Sequence, residues 1–259
     1  MNSKIKLILC DLDDTLLNSN KEVTGRTRKA LLECAGRGIK IGYITVRSPR
    51  KVGKFIKALP CDCISNYNGA IIRVGDQVID NYAIDHKVGM NLIGSLLEEY
   101  PGEENPGFFV SAYFEPLCLN HNVVRLAKTQ EATGYSLSDV PPYNFQRIRI
   151  VPGEHVQLDL SKYASEYLTF TGTIHGSVIV SSREANKENA VHRIREHFGL
   201  ENSEILSFGD DLIDIGMLNA SGIGVAMGNA VQEVKDIADY VTLSNEEDGI
   251  AEYLYNYIL

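Results

Sequence analysis

The sequence predicts an α/β protein in which a doubly wound parallel-sheet core is interrupted by an inserted α+β domain. Three observations carry that expectation. Residues 5–10 form a near-continuous apolar run ending in acids, the profile of a parallel strand buried on both faces. Apolar runs alternate with helix-period segments over residues 5–59 and again from Ser182 onward. Between those stretches the rhythm changes to short β-like runs, one helix-like segment and a Pro/Gly-bearing loop.

Taken in order, 5–10 is the first strand. Residues 26–36 carry Leu31, Leu32 and Ala35 at helical spacing and end in glycine, and the apolar run 39–45 closes a β-α-β unit. Ser48-Pro49 supplies an N-cap and a first-turn proline for a helix running toward Leu59. A strand near residues 63–65 follows. Asn68-Gly69 signals a turn, and 70–74 with 77–79, separated by Gly75-Asp76, read as a hairpin. The insert is expected over 82–181, with a helix at 87–100, a loop at 101–107 and strands at 108–114, 147–151 and 177–180. The core, expected over 1–81 and 182–259, resumes with helix 185–198, strand 204–208, helix 212–220, strand 224–227, helix 230–238, strand 240–243 and a last helix, for which Ser244 to Glu247 has capping-box spacing.

The chain has 259 residues, 44% of them hydrophobic and 23% charged, with a net charge of −9, so it reads as an ordinary globular protein able to bury a large core. Its acidity and the lack of a Lys/Arg-rich run argue against nucleic acid as a partner. A small anionic substrate is still accommodated, because a metal ion and a few placed cations reverse a local potential. Five cysteines, an odd number in a chain of this size, fit a reducing cytoplasm rather than a disulfide framework. Cys61 and Cys63 lack a second Cys/His pair at matching spacing and read as strand residues, not a metal clamp. The apolar run at the N-terminus is too short for a signal sequence, and no stretch approaches the roughly 20 apolar residues of a membrane span, so a soluble, cytoplasmic protein is expected.

Ligands of open α/β sheets bind off the carboxyl ends of the strands. Four chemistry-bearing positions fall there or at the helix that re-enters the core: Asp11 with Asp13, Thr45, Asp210 and Lys187. Asp11 and Asp13, two residues apart at a strand end, share one small volume and repel each other. A divalent cation removes that repulsion, and Asp210 adds a hard oxygen ligand of the kind Mg²⁺ prefers. Phosphoryl transfer needs a nucleophile, neutralisation of phosphoryl charge and a proton for the leaving oxygen. Asp11 is the candidate nucleophile, forming an aspartyl-phosphate, and Asp13 the general acid and then base. Thr45 and Lys187 are candidates to hold the non-bridging oxygens, with the helix N-terminus at Ser48-Pro49 adding favourable field. Singly, each has a plainer reading: Asp-x-Asp as turn acids, Thr45 as a strand-end hydroxyl, Lys187 as a solvated helix residue. Their joint placement favours the chemical one.

Residues 11–17, Asp-Leu-Asp-Asp-Thr-Leu-Leu, resemble the first motif of the haloacid dehalogenase (HAD) superfamily. Thr45 within Ile44-Thr45-Val46-Arg47 resembles its second motif, Lys187-Glu188-Asn189-Ala190 the lysine motif, and the run from Gly209 to Leu218 the acidic fourth motif. Asn68-Gly69-Ala70 and the segments 224–230 and 238–242 are similar to the Cof-like, type-IIB branch. The resemblance implies a Rossmannoid core, a mobile α+β cap supplying substrate contacts, and Mg²⁺ held by Asp11, the Asp13 backbone carbonyl and Asp210. It further implies that Asp214 orients Lys187 or a metal-bound water, and that Arg47 and Asn68, with Thr45 and Lys187, lie at the substrate. Two positions depart from the branch: Val46 stands where glycine is usual and Ile213 where asparagine is usual. Loss of that polar group either loosens the metal shell or is compensated by Asp211, which makes Asp211 a secondary metal candidate.

The expected activity is hydrolysis of a small phosphorylated metabolite, a sugar phosphate being the default class for the branch. A phosphomutase or phosphoryl transferase would use the same residues, and Ile213 motivates a non-catalytic phosphate binder. His192 and His197 read as helix-surface residues. In the insert, His121, His155, His175, Tyr113, Tyr143, Arg147 and Arg149 are candidates for substrate contact, although strand-borne Tyr and Arg ordinarily pack or stay solvated.

Overall fold

A computed structural model describes residues 4–102, 106–112, 115–119, 134–135, 140–153, 156–173 and 176–259, with 115–119 and 134–135 given through the backbone alone. Tyr113, His121, His155 and His175 lie outside the described residues. The chain separates into two compact units, Met1–Asp80 with Asn186–Leu259, and Asn81–Ala185. Asn81 and residues 182–185, expected in the core from the sequence, fall in the second unit, where strand pairing continues to Ser182.

In chain order the strands are β1 Leu7–Cys10, β2 Lys40–Ile44, β3 Cys63–Asn66, β4 Ile71–Val74, β5 Gln77–Asn81, β6 Gly107–Ala112, β7 Glu115–Leu119, β8 Gly134–Tyr135, β9 Phe145–Val151, β10 Leu168–Gly172, β11 Val178–Ser182, β12 Ile205–Gly209, β13 Ile223–Ala226 and β14 Tyr240–Val241. Eight form one sheet in the order β14-β13-β12-β1-β2-β3-β4-β5, parallel from β14 through β3, with β4 antiparallel to β3. Every residue of β1 is fully buried, as the unbroken apolar run requires of a central strand covered on both faces. On one face Ile8, Cys10, Ile41, Tyr43, Leu206 and Phe208 pack with Ala30, Leu31 and Cys34 and with Ile250, Ala251 and Leu254. Burial of this kind stabilises by roughly 1.5–3 kcal/mol for each large apolar side chain.

The register places the chemistry. Leu7–Cys10 pairs in step with β2 and β12, Cys10 lying opposite both Tyr43 and Phe208. The three strands therefore leave the sheet at one level, followed by Asp11, Thr45 and Asp210.

Local structure differs from the sequence expectation in instructive ways. The helix Gly25–Gly36, capped by the Thr24 hydroxyl, buries Thr27, Ala30, Leu31 and Cys34, whereas Leu32 is half exposed. The helix expected at 185 begins at Lys187, because the Asn186 side chain accepts from the Asn189 N–H at 2.8 Å and fixes the start. The expected helix 212–220 is a 3₁₀ turn, Leu212–Asp214, followed by the helix Ile215–Ala220; Asp211 and Asp214 cap that turn reciprocally. Likewise the Ser244 box caps the 3₁₀ turn Asn245–Glu247, and Asp248 at φ 60° separates it from the final helix Gly249–Tyr257.

The second unit carries a six-stranded sheet, β10-β11-β9-β6-β7-β8, antiparallel except between β7 and β8. The helix His86–Glu99, capped by Asp85, sends Leu92, Ile93 and Leu96 into its core with Phe108, Val110, Phe145, Ile148 and Ile150. Among the described residues no helix is long and apolar enough to cross a membrane.

Candidate active site

The first unit gathers its acids at the carboxyl end of the sheet. Asp11 follows β1 directly, and its backbone N–H bonds to the Phe208 carbonyl at 3.1 Å. Asp210 follows β12, and Asp214 ends the 3₁₀ turn one step further on. One carboxylate oxygen from each of Asp11, Asp210 and Asp214 lies within 4.8 Å of the others. Gly209 allows this turn, since a Cβ there would stand 2.5 Å from the Asp214 Cβ.

Lys187, the first residue of its helix, is fully buried, and its Nζ donates to Asp11 Oδ1 and to Asp214 Oδ1, each at 2.5 Å. Asp214, itself without exposure, uses its other oxygen to accept the N–H groups of Asp210 and Asp211 at 3.0 and 3.1 Å. Asp210 Oδ1 accepts from the Thr15 hydroxyl at 2.5 Å.

Three carboxylates thus face one ammonium, and the electrostatics follow. Burial pushes the Asp11 carboxyl up to about 8; Lys187 opposes the rise, and the charges of Asp214 and Asp210 add to it. Burial likewise raises Asp210 to about 6, against the pull of the Thr15 bond and with help from Asp214 and Asp14. For Lys187, burial disfavours the charge, but Asp11 and Asp214 outweigh it and hold the ammonium above its ordinary value.

Asp13 lies apart from that group and carries a second ionic cluster. Arg47 grips it through two bonds, Nε to Oδ2 at 2.6 Å and Nη2 to Oδ1 at 2.5 Å, and stacks over the Phe55 ring at 4.5 Å. Lys21 Nζ stands 3.2 Å from Asp13 and 3.3 Å from Asp14. Partial burial would raise Asp13, but Arg47 and Lys21 prevail and hold it below the usual carboxylate range. Thr45 is fully buried; its Oγ1 accepts the Arg47 N–H at 3.2 Å, and its carbonyl accepts the Asn68 N–H at 2.9 Å.

Asn68 sits in the left-handed region at φ 58°, and Gly69 beside it at φ 102°. A Cβ on Gly69 would approach the Asn186 carbonyl oxygen to 2.2 Å, immediately before Lys187. Gly69→Ala is therefore expected to destabilise the chain by about 1–3 kcal/mol in urea unfolding, strain and contact acting together.

Asp211 does not join the acidic group. Its carboxylate is exposed and accepts the Leu212 N–H at 2.7 Å, so the secondary metal candidate acts as a cap. Ile213 is 39% exposed on the same turn. In the second unit Tyr143 is half exposed, and Arg149 bonds Ser177 Oγ at 2.9 Å and faces Phe109. Thr15 and Lys21 were not identified from sequence as site residues. Thr15 had a signal, its place in the 11–17 motif; Lys21 had none, because a turn lysine is ordinarily solvated.

Comparison with known proteins agrees with this geometry. A family of haloacid dehalogenase-like hydrolases matches over residues 8–114 and 137–254. Phosphatase YwpJ of Bacillus subtilis is 28% identical over 96% of this chain and 99% of its own. The 5-amino-6-(5-phospho-D-ribitylamino)uracil phosphatase YcsE of the same organism is 26% identical over 98% of this chain and 96% of its own. Among solved structures, a HAD subclass IIB sugar phosphatase superposes with a TM-score of 0.76 at 24% identity, covering 97% of this chain and 98% of that one. With its family matched over most of its length, on a parallel-sheet core that ends in Asp11, Asp210, Asp214 and Lys187, the chain belongs to the haloacid dehalogenase-like hydrolases.

Proposed function

We propose that the protein is a Mg²⁺-dependent phosphatase that hydrolyses a small phosphomonoester, in the first place a sugar phosphate, through an aspartyl-phosphate on Asp11. The observation that carries this reading is the surplus of carboxylate over cation at the end of the sheet: Asp11, Asp210 and Asp214 share one volume with Lys187 as the only cation bonded to them among the described residues. Raised carboxyls at Asp11 and Asp210 are the electrostatic mark of a group that would take a divalent cation, and an all-oxygen donor set suits Mg²⁺. Asp11, Asp210 and the Asp13 backbone carbonyl would hold the ion, with Asp214 holding Lys187 in place. Bound there, Mg²⁺ supplies charge neutralisation for a phosphoryl group.

The chain's own residues supply the rest. The Asp11 oxygen that Lys187 does not hold attacks phosphorus as the bond to the leaving oxygen breaks, and Asp13 delivers a proton to that oxygen. Water then attacks phosphorus, Asp13 takes its proton, the acyl-phosphate bond breaks, and Asp11 and orthophosphate are released. Asp13 rests as a carboxylate under Arg47 and Lys21. A phosphoryl dianion competes for those two cations, and as they turn to it the proton affinity of Asp13 rises, so that it takes from solvent the proton it then delivers to the leaving oxygen. Thr45, Arg47, Asn68 and Lys187 take the phosphoryl oxygens. Support for the substrate class comes from the ribityl phosphate in one relative's name and from the sugar phosphatase among the structural neighbours.

A phosphate-release screen over sugar phosphates, nucleotides and cofactor phosphates tests the reading. With Mg²⁺, turnover is expected to be highest on sugar phosphates; with excess chelator it is expected to fall by at least about 10²-fold. Equal rates in both conditions would remove the metal from the mechanism, and transfer to an acceptor in place of release would favour a mutase.

A further inference from the structure

Asn66 has no place in the mechanism above, yet it is fully buried at the last position of β3, beside the loop that carries Thr45 and Arg47. Its Nδ2 donates to the Arg47 carbonyl at 3.2 Å. The same carbonyl accepts the Tyr67 N–H at 3.2 Å, the Thr45 carbonyl accepts the Asn68 N–H at 2.9 Å, and the Thr45 N–H reaches the Ser65 carbonyl at 3.0 Å. Residues 65–68 thus form a template along which 45–47 lie. Tyr67 and Asn68 both stand at positive φ, 52° and 58°, two successive non-glycine residues in a conformation that L side chains adopt at a cost. That conformation turns two N–H groups toward one loop, and the contacts they make offset its cost.

The orientation of the Asn66 amide is fixed by what it faces. A carbonyl oxygen can only accept, so the Nδ2 must point at Arg47, and the Oδ1 is left buried with no hydrogen-bond partner among the described residues. An orphaned acceptor is unfavourable, and an apolar residue of similar size would avoid it. What an apolar residue could not do is anchor the Arg47 carbonyl from the side chain. Arg47 has its guanidinium across Asp13 and its backbone held by this donor, so fixing the carbonyl fixes the origin of the side chain.

We infer that Asn66 is a positioning residue, which pins the Arg47 carbonyl and so aims the Arg47 guanidinium at the Asp13 carboxylate and at the phosphoryl group expected beside it. The second half of this statement rests on the function proposed above; the first does not.

The two halves are separated by two measurements on the full chain. Asn66→Asp keeps the volume and removes the donor, and Asn66→Ala is the second variant should a buried carboxylate prevent folding. The Arg47 Nε–H resonance, assigned by its absence in Arg47→Ala, reports the 2.6 Å bond to Asp13. The Nε–H of Arg193, bonded to Asp80 at 2.6 Å, is the internal control. In either variant the Arg47 signal is expected to move and to exchange faster with solvent while that of Arg193 stays. An unmoved Arg47 signal overturns the inference, whatever the turnover. Binding of inorganic phosphate to the Mg²⁺-loaded protein, read by calorimetry, is expected to weaken by about five- to tenfold, with no further loss when the Asn66 change is added to Arg47→Ala. A displaced Arg47 signal with unchanged phosphate affinity leaves the positioning intact and overturns the part given to Arg47 in the proposed function.

Discussion

Asp11→Asn is expected to reduce phosphate release by at least about 10³-fold while the protein remains folded. The amide has the volume of the carboxylate but neither its charge nor its nucleophilicity, and among the described residues the neighbouring carboxylates are engaged elsewhere: Asp13 across Arg47 and Lys21, Asp210 with Thr15, and Asp214 with Lys187 and two backbone N–H groups. Folding should survive because the site carries more negative charge than it can solvate, so neutralising one member removes repulsion. The sign can be checked in chelated protein. Asp11 has a folded-state value of about 8 against 3.8 for the free side chain. The folded state therefore binds this proton more tightly than the unfolded chain, and its contribution to stability is complete below about pH 4 and is lost as the pH rises toward 8. Urea unfolding of the metal-free wild type should thus show falling stability across that window, and Asp11→Asn should flatten the profile. Turnover retained by the variant would assign the nucleophile to another residue; an equally steep profile would show that Asp11 is not the titrating group.

Much of the core was legible from the sequence because a parallel strand buried on both faces writes an unambiguous signal. The runs at 5–10 and 204–208 have no polar alternation and end in acids or glycine, and the pairing of Leu7–Cys10 with Ile205–Gly209 and Lys40–Ile44 aligns their ends. Weaker local signals lost to tertiary context. Leu32 has helical spacing but faces solvent, because the helix Gly25–Gly36 meets the sheet along Thr27, Ala30, Leu31 and Cys34. In the insert, Leu168–Gly172 forms a strand beyond those expected, and Glu115–Leu119 contains Pro116, which argues against a strand until it is seen paired with β6 on one side and a two-residue strand on the other.

The site was legible in a different sense. Strand-end positions can be counted from sequence, which points to Asp11, Thr45 and Asp210, with Lys187 at the helix that re-enters the core; the structure places Asp210 and Lys187 beside Asp11. Sequence does not show which charges pair. Asp11 and Asp13, expected to share one volume, fall into two clusters: Asp11 with Asp210, Asp214 and Lys187, and Asp13 with Arg47 and Lys21. The repulsion anticipated between Asp11 and Asp13 is relieved by cations on the second cluster and is concentrated among the three acids of the first. Asp211 stands outside the clustered acids for a local reason, since its carboxylate accepts the N–H of the residue that follows it in the turn.

The largest effect on stability is expected at Lys187. Lys187→Met keeps the length and apolar stem of the side chain and removes only the ammonium, leaving Asp11 and Asp214 buried and facing each other without a cation. Breaking a buried pair by deleting one partner costs about 3–5 kcal/mol, and here one deletion strips two carboxylates. Metal-free Lys187→Met should therefore unfold at markedly lower urea than the wild type. Lys187 holds the Asp11 value down, so its loss raises Asp11 further; protonation of Asp11 should avoid part of the cost, and the deficit should grow as the pH rises above 8 and level off below it. Mg²⁺ offers a second compensation: a divalent cation among the same carboxylates replaces the missing charge, and the variant should gain more stability from saturating Mg²⁺ than the wild type does. Turnover should stay low in Mg²⁺ even where stability is restored, because the ion neutralises the acids but does not place an ammonium on Asp11. If Mg²⁺ stabilised wild type and variant equally, the ion would not share the volume of Lys187. If metal-free Lys187→Met unfolded at the wild-type urea concentration, the two short contacts of Lys187 would not govern the electrostatics of this site.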